Sequence, residues 1–107
     1  MNITFVKEPV PELTITGGQL AALGFNTDTP IRLMQLYNML SVTIVTDEAA
    51  WKELCETSQQ CQDLGADWVR ENGEVIIGGS WLTEFGITDA GQIEIAAAAD
   101  VLRLQRR

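Results

Sequence analysis

There is no histidine in this chain, and that absence removes the commonest general base, proton shuttle and metal ligand at once. Cysteine is nearly as scarce. Cys55 and Cys61 are too few for a disulfide framework, and their spacing is not CxxC. A zinc site would need both thiols completed by carboxylates, so neither a metal nor a cofactor is expected. The compartment expected for so few cysteines is the reducing cytoplasm. No run of eighteen apolar residues occurs, and Met1-Asn2-Ile3 lacks a basic region followed by an apolar block. Neither a membrane span nor a signal peptide is expected.

Positive charge is the other shortage. Seven Lys and Arg stand against fifteen Asp and Glu, a net charge of −8. Three of the seven (Arg103, Arg106 and Arg107) crowd the end of the sequence, which leaves Lys7, Arg32, Lys52 and Arg70 for the rest. Nucleic acid is held mainly by Lys and Arg that displace counterions from phosphate. A surface this acidic repels nucleic acid and draws a basic partner, or simply keeps a small protein soluble.

What the chain does have is an ordinary globular composition, 46% hydrophobic and 21% charged over 107 residues. That is one domain, 1–107, with one modest core. Its most structured stretch is Val69–Ile87. Asn72-Gly73 between alternating apolar residues reads as a tight hairpin turn, with both turn positions at positive φ. Gly78-Gly79 then releases the chain, Leu82 and Phe85 suit a short helix, and Gly86 sits where a helix wants its left-handed terminator.

That stretch occurs twice. Shifted by 62, residues 12–45 lie on 74–107 without a gap, and seven of the 34 pairs are identical. Among them are Ile15/Ile77, Gly17/Gly79, Leu20/Leu82, Gly24/Gly86 and Leu40/Leu102. Apolar positions and both glycines coincide, which weighs more than the identities. In the first copy Ile3–Val6 and Leu13–Ile15 read as strands around a proline-braced turn at Glu8–Pro11. Gln19–Leu23 is a helical turn closed by Gly24, and strands follow around Ile31–Leu33 and Leu40–Ile44. One segment conflicts. Thr29-Pro30, with Leu33, Leu36, Tyr37 and Leu40 at helical spacing, predicts a helix over 31–40, and the alanine run in 93–101 has high helix propensity as well. Ile93-Glu94-Ile95 and Leu102-Arg103-Leu104 alternate cleanly, and the repeat demands one answer for both copies, so strands are expected there. Between the copies, Thr46 or Asp47 can cap a helix with Glu48 in its first turn. Trp51, Leu54, Cys55 and Ser58 form its buried face and Gly65 ends the segment. Cys55 is expected to be a small buried hydrophobe.

Val69–Ile77 resembles the first hairpin of the AbrB/MazE swapped-hairpin domains. Gly79-Ser80-Trp81-Leu82-Thr83-Glu84-Phe85-Gly86-Ile87, followed by Ile93, Ile95, Leu102 and Leu104, is more specifically similar to the SymE family, whose pattern is G-x-W-L-x-x-x-G-F and then two strands. The likeness covers roughly 67–105 well and 5–45 more loosely, with Gln19 in the place of Trp81. In such families two half-barrels from two chains interlock. The resemblance therefore implies an α+β, β-rich fold of two ββαββ half-barrel repeats forming an AbrB-like, SymE-like barrel. Repeat 1 would span 1–45, a crossover helix 46–65 and repeat 2 66–107, giving a monomeric pseudo-dimer or else a homodimer.

Function divides into two expectations. AbrB relatives that bind DNA carry bases around the first hairpin turn; here Glu8, Glu12, Glu71 and Glu74 stand there, which repels phosphate. SymE relatives are regarded as RNA-cleaving toxins, yet without histidine no residue stands out as catalytic. The first expectation is thus a small acidic protein-binding module, an antitoxin or immunity-type neutraliser of a basic, nuclease-like toxin. Its contacts would be Glu8, Glu12, Glu71 and Glu74 on the hairpins with Asp47, Glu48, Glu53 and Glu56 on the crossover helix, and its three tryptophans are possible anchors. The alternative is a SymE-like endoribonuclease toxin that binds RNA, with Arg103, Arg106 and Arg107 near phosphate.

Overall fold

Alternation of apolar and polar side chains decides the strands. The structure is a computed structural model that describes residues 2–6, 11–36, 39–61, 63–78, 82 and 90–106. Strands β1 (Asn2–Val6) and β2 (Glu12–Thr16) precede a short helix, α1 (Gly18–Ala22), and then come β3 (Pro30–Leu36) and β4 (Met39–Ile44). Helix α2 (Glu48–Thr57) leads to β5 (Leu64–Trp68) and β6 (Val75–Gly78). A 3-10 turn at Ala90–Gln92 opens onto β7 (Ile93–Ala98) and β8 (Val101–Arg106). The fold is α+β and strand-rich, with a three-stranded sheet β1-β2-β6 and a five-stranded sheet β5-β3-β4-β8-β7. Every neighbouring pair is antiparallel.

Register carries the apolar residues inward. Leu13 faces Ile77 and Ile15 faces Val75 in the small sheet. In the large one Leu33 faces Val42, Val42 faces Leu102 and Leu40 faces Leu104. All of these are buried and belong to one cluster, joined by Leu20, Phe25 and Leu82. Each such side chain taken from water contributes about 1.5–3 kcal/mol, so the shared interior is what holds the two sheets together.

The helical spacing over 31–40 does not produce a helix. β3 is bonded on one edge to β4 and on the other to β5. A strand there buries Ile31 and Leu33 and closes two ladders, a tertiary gain that outweighs local propensity. The alanines of β7 behave likewise against β8.

Gly24 ends α1 as expected. Gly24 N donates to Ala21 O at 3.1 Å and Phe25 N to Leu20 O at 2.8 Å, with Gly24 at φ +102. These are the two bonds of a Schellman motif, and the fully buried Leu20 and Phe25 are its hydrophobic pair.

Two expectations fail in detail. Val69 is not a hairpin strand residue: β5 stops at Trp68, and Val69 N donates to Thr29 O while its own carbonyl accepts from Asp28 N. At the turn only Gly73 takes a positive φ, of +75, while Asn72 does not. Gly73 N donates to Arg70 O and Arg70 N to Glu74 O, at 2.9 and 2.8 Å. The reason is that β5 is already paired with β3, so only the mouth of the expected hairpin survives. The linker helix is also shorter than 46–65. It ends at Thr57, and Gly65 lies inside β5 opposite Leu33 instead of terminating the helix. Leu82 is helical and buried. Gly79, Trp81, Phe85, Gly86 and Ile87 lie outside the described residues, as does the turn at 7–10.

The strands recur at a fixed offset. β1 and β5 span 2–6 and 64–68, and β4 and β8 span 39–44 and 101–106, each 62 apart. Where β2 meets β6, Thr14 faces Ile76, and where β4 meets β8, Ser41 faces Arg103, again residues 62 apart.

Candidate functional site: a groove beside helix α2

Helix α2 begins because Asp47 caps it, its Oδ1 accepting from Ala49 N at 3.2 Å. Glu48 in the first turn suits the positive end of the helix dipole. Leu54 is buried, Trp51, Cys55 and Ser58 are half-buried beside it, and this stripe seats the helix near β5. Cys55 is therefore only partly covered, and both cysteines are free thiols, Cys61 exposed. Ser58 Oγ donates to Cys55 O at 3.2 Å and helps close the last turn.

The outer face of the large sheet does not meet α2 flush. Between them runs a groove of about 490 Å³, with Arg32 and Met34 of β3 and Thr43 of β4 among its sheet-side residues. Its helix wall holds Asp47, Glu53 and Leu54. Arg32 Nε is buried and has no hydrogen-bond partner. Among the described residues the ion pair within 4.0 Å is Arg70–Asp67, so Arg32, Asp47 and Glu53 face the groove without one.

The eight carboxylates expected to bind a partner do not form one patch. Asp47 and Glu53 face the groove and are exposed. Glu48 and Glu56 sit four residues to either side of Lys52, and all three are exposed along the opposite flank of α2. Glu71 is exposed and lines a second cleft of about 410 Å³, where Thr27 Oγ1 donates to its carbonyl at 3.0 Å. Glu12 is exposed on β2 opposite Gly78, and Glu74 is half-buried where its carbonyl closes the turn. Glu8 lies outside the described residues.

No family model, curated protein or solved structure matches this chain.

Sequence reasoning missed Arg32, for a base in a strand carries no signal of a groove until a helix is laid over it. It had Trp68 among its three candidate anchors but missed the two charged neighbours that make it an exposed cluster. Trp68 is 48% exposed, the Arg70 guanidinium stands 4.6 Å from its ring centroid, and Asp67 Oδ1 lies 3.2 Å from Arg70. The i, i+3 spacing of Asp67 and Arg70 flanking a tryptophan was the available clue. Among the described residues no group of three or more His, Cys, Asp or Glu could hold a metal. No helix among them is long and apolar enough to cross a membrane.

Proposed function

We propose that this chain is an acidic protein-binding module, an antitoxin or immunity-type neutraliser of a basic partner. The observation that carries the reading is α2 with its cap. Asp47, Glu48, Glu53 and Glu56 are all exposed, and none is in an ion pair among the described residues. Four carboxylates against the single Lys52 on one short element of a chain with net charge −8 form a field that speeds encounter with a cationic protein. Trp68 with its Arg70 neighbour offers the kind of aromatic anchor on which affinity concentrates. The RNA-cleaving alternative has less support, because Arg103 and Arg106 are an odd number of residues apart on β8 and so point to opposite faces of the sheet.

The scaffold for this activity is, in our reading, a barrel of two ββαββ halves within one chain. The 62-residue offset of the strands supports it, as do the pairs Thr14–Ile76 and Ser41–Arg103. A residue that faces its own counterpart marks a local two-fold axis, and both pairs are what one common axis would produce. The two copies depart from each other in their first strands, since β1 pairs with β2 but β5 pairs with β3.

The test is capture and charge neutralisation. A basic protein should co-purify in one-to-one ratio, dissociate at high salt, and bind the combined D47N, E48Q, E53Q and E56Q variant with an on-rate lowered by about tenfold or more. Overexpression of the chain alone should leave growth unchanged. If the purified protein by itself degraded RNA, and replacing Arg103 and Arg106 by alanine abolished this, the neutraliser reading would be wrong.

A further inference from the structure

The corner between β5 and β6 is a hairpin closed at its turn and nowhere else. Gly73 N donates to Arg70 O and Arg70 N to Glu74 O, and beyond these no backbone bond crosses from β5 to β6. Both strands nonetheless turn an edge to the gap. On β5, Gln35 N donates to Asp63 O and Val69 N to Thr29 O, so the odd-numbered residues bond toward β3. Ala66 and Trp68 therefore carry their amides and carbonyls to the other side. On β6 the Glu74 carbonyl faces Arg70, so Ile76 and Gly78 face the same way, while β2 holds the opposite edge. A ladder extended from the turn would set Trp68 opposite Ile76 and Ala66 opposite Gly78.

The ladder with β3 draws β5 off β6, and one side chain stands in the way of its return. Trp68 N, the donor for the first rung, is taken by Asp67 Oδ1 at 2.8 Å. The Arg70 guanidinium holds that carboxylate, with Nη2 3.2 Å from Oδ1 and 3.5 Å from Oδ2, and stands 4.6 Å from the Trp68 ring centroid. The other copy supplies the comparison. There β1 and β2 are zipped from Asn2–Thr16 to Val6–Glu12. At the offset of 62, Phe5 stands in the place of Asp67, Val6 of Trp68 and Glu8 of Arg70. Phe5 has no acceptor to offer the Val6 amide, and Glu8 no cation to hold one. The copy without the clasp is closed, and the copy with it is open.

Closure has to begin at the rung beside the turn, because the Ala66–Gly78 rung alone closes a longer loop. At that first rung the neutral carbonyl of Ile76 competes with a carboxylate, and bonds to a charged acceptor are the stronger. We propose that Asp67, held by Arg70, is a latch that occupies the Trp68 amide and keeps the β5–β6 seam open. With the latch released, β6 closes onto β5 while β3 stays on the other edge. The two sheets then join as one, in the order β1-β2-β6-β5-β3-β4-β8-β7. This device stands apart from the neutraliser reading and does not depend on it.

The test is amide hydrogen exchange, read by nuclear magnetic resonance on the labelled full chain. In the parent, Ile76 should exchange at least about tenfold faster than Thr14, its counterpart in the closed copy. D67V places an apolar strand former where the closed copy has Phe5. It should slow exchange at Ile76 and Gly78 by about tenfold, the equilibrium equivalent of roughly one backbone bond, and bring the α-protons of residue 67 and Ile77 into cross-strand contact. D67A, which adds no atoms, is the second variant and should act in the same direction. E71Q removes an equal charge at the same turn and should leave both rates within about twofold. Unchanged exchange at Ile31 and Leu33, in the β3–β5 ladder, shows that a variant is folded. Equal exchange at Ile76 and Thr14 in the parent would mean a seam already closed and would overturn the proposal. So would unchanged rates at Ile76 and Gly78 in the folded Asp67 variants, or equal slowing by E71Q.

Discussion

Substituting Gly24 by alanine tests the junction on which the first copy turns. Gly24 sits at φ +102, outside the range an L-residue adopts without strain, and that alone costs about 1–3 kcal/mol. An alanine Cβ there would also stand 2.8 Å from Asp100 Oδ1 and 2.9 Å from Ile44 Cδ1. The Asp100 carboxylate is exposed and can swing away. Ile44 packs on the core, and the turn carrying Asp100 is clamped, for Asp100 N donates to Leu23 O at 2.9 Å and Ile44 N to Asp100 O at 3.0 Å. Relief therefore means moving a packed side chain or breaking backbone bonds, which raises the expected total to about 2–4 kcal/mol. For a domain of this size that lowers Tm by roughly 10–20 °C. Thermal unfolding followed by circular dichroism reads it directly, and urea titration should show a lower midpoint with an unchanged m-value. Gly18 is the control. A Cβ at Gly18 meets nothing within 4 Å and its φ is not in the left-handed region, so G18A should be neutral or stabilising by about 0.4–1 kcal/mol. The contact part of the cost should shrink when Asp100 is first replaced by glycine, which removes the carboxylate and suits the φ of +67 there. A G24A Tm within about 3 °C of the parent, or a G18A loss of equal size, would refute the reasoning.

Removing the cap of α2 by D47A should cost about 0.5–2 kcal/mol, while D47N should cost a few tenths, measured by urea unfolding. Leu20 and Leu82 are both fully or nearly fully buried at offset positions, so L20A and L82A should each cost about 2–5 kcal/mol and match each other closely in a calorimeter. Cysteines at positions 41 and 103, in a chain whose Cys55 and Cys61 are serine, should oxidise to an intramolecular disulfide that runs as monomer on a non-reducing gel, because the two residues face one another in β4 and β8. A dimer band in their place would mean that the halves exchange between chains. R70A should change the tryptophan emission of the exposed Trp68 yet cost less than about 1 kcal/mol, since the Arg70–Asp67 pair is partly exposed.

Much of the chain path was legible because short-range chemistry has few solutions. Gly24 suits the end of a helix and Thr46 or Asp47 the start of one, and the alternation in Leu40–Ile44 and Leu102–Leu104 survives as β4 and β8. The offset of 62, readable in apolar positions, reappears as strand spans. Partner choice was not legible. Nothing in Leu64–Trp68 says that it pairs with β3 and not with β6, since a strand's edges look alike from its sequence and only the competing ladders decide. The candidate site shows the same division. The sequence by itself determined the acidic balance, the lack of histidine and which carboxylates belong to one helix. Only the tertiary structure decided that Asp47 and Glu53 share a groove with Arg32 while Glu48 and Glu56 face away from it. The physical reason is that charge and propensity are properties of residues. A groove is a property of how far a helix stands off a sheet, and that distance is set by side chains remote in sequence.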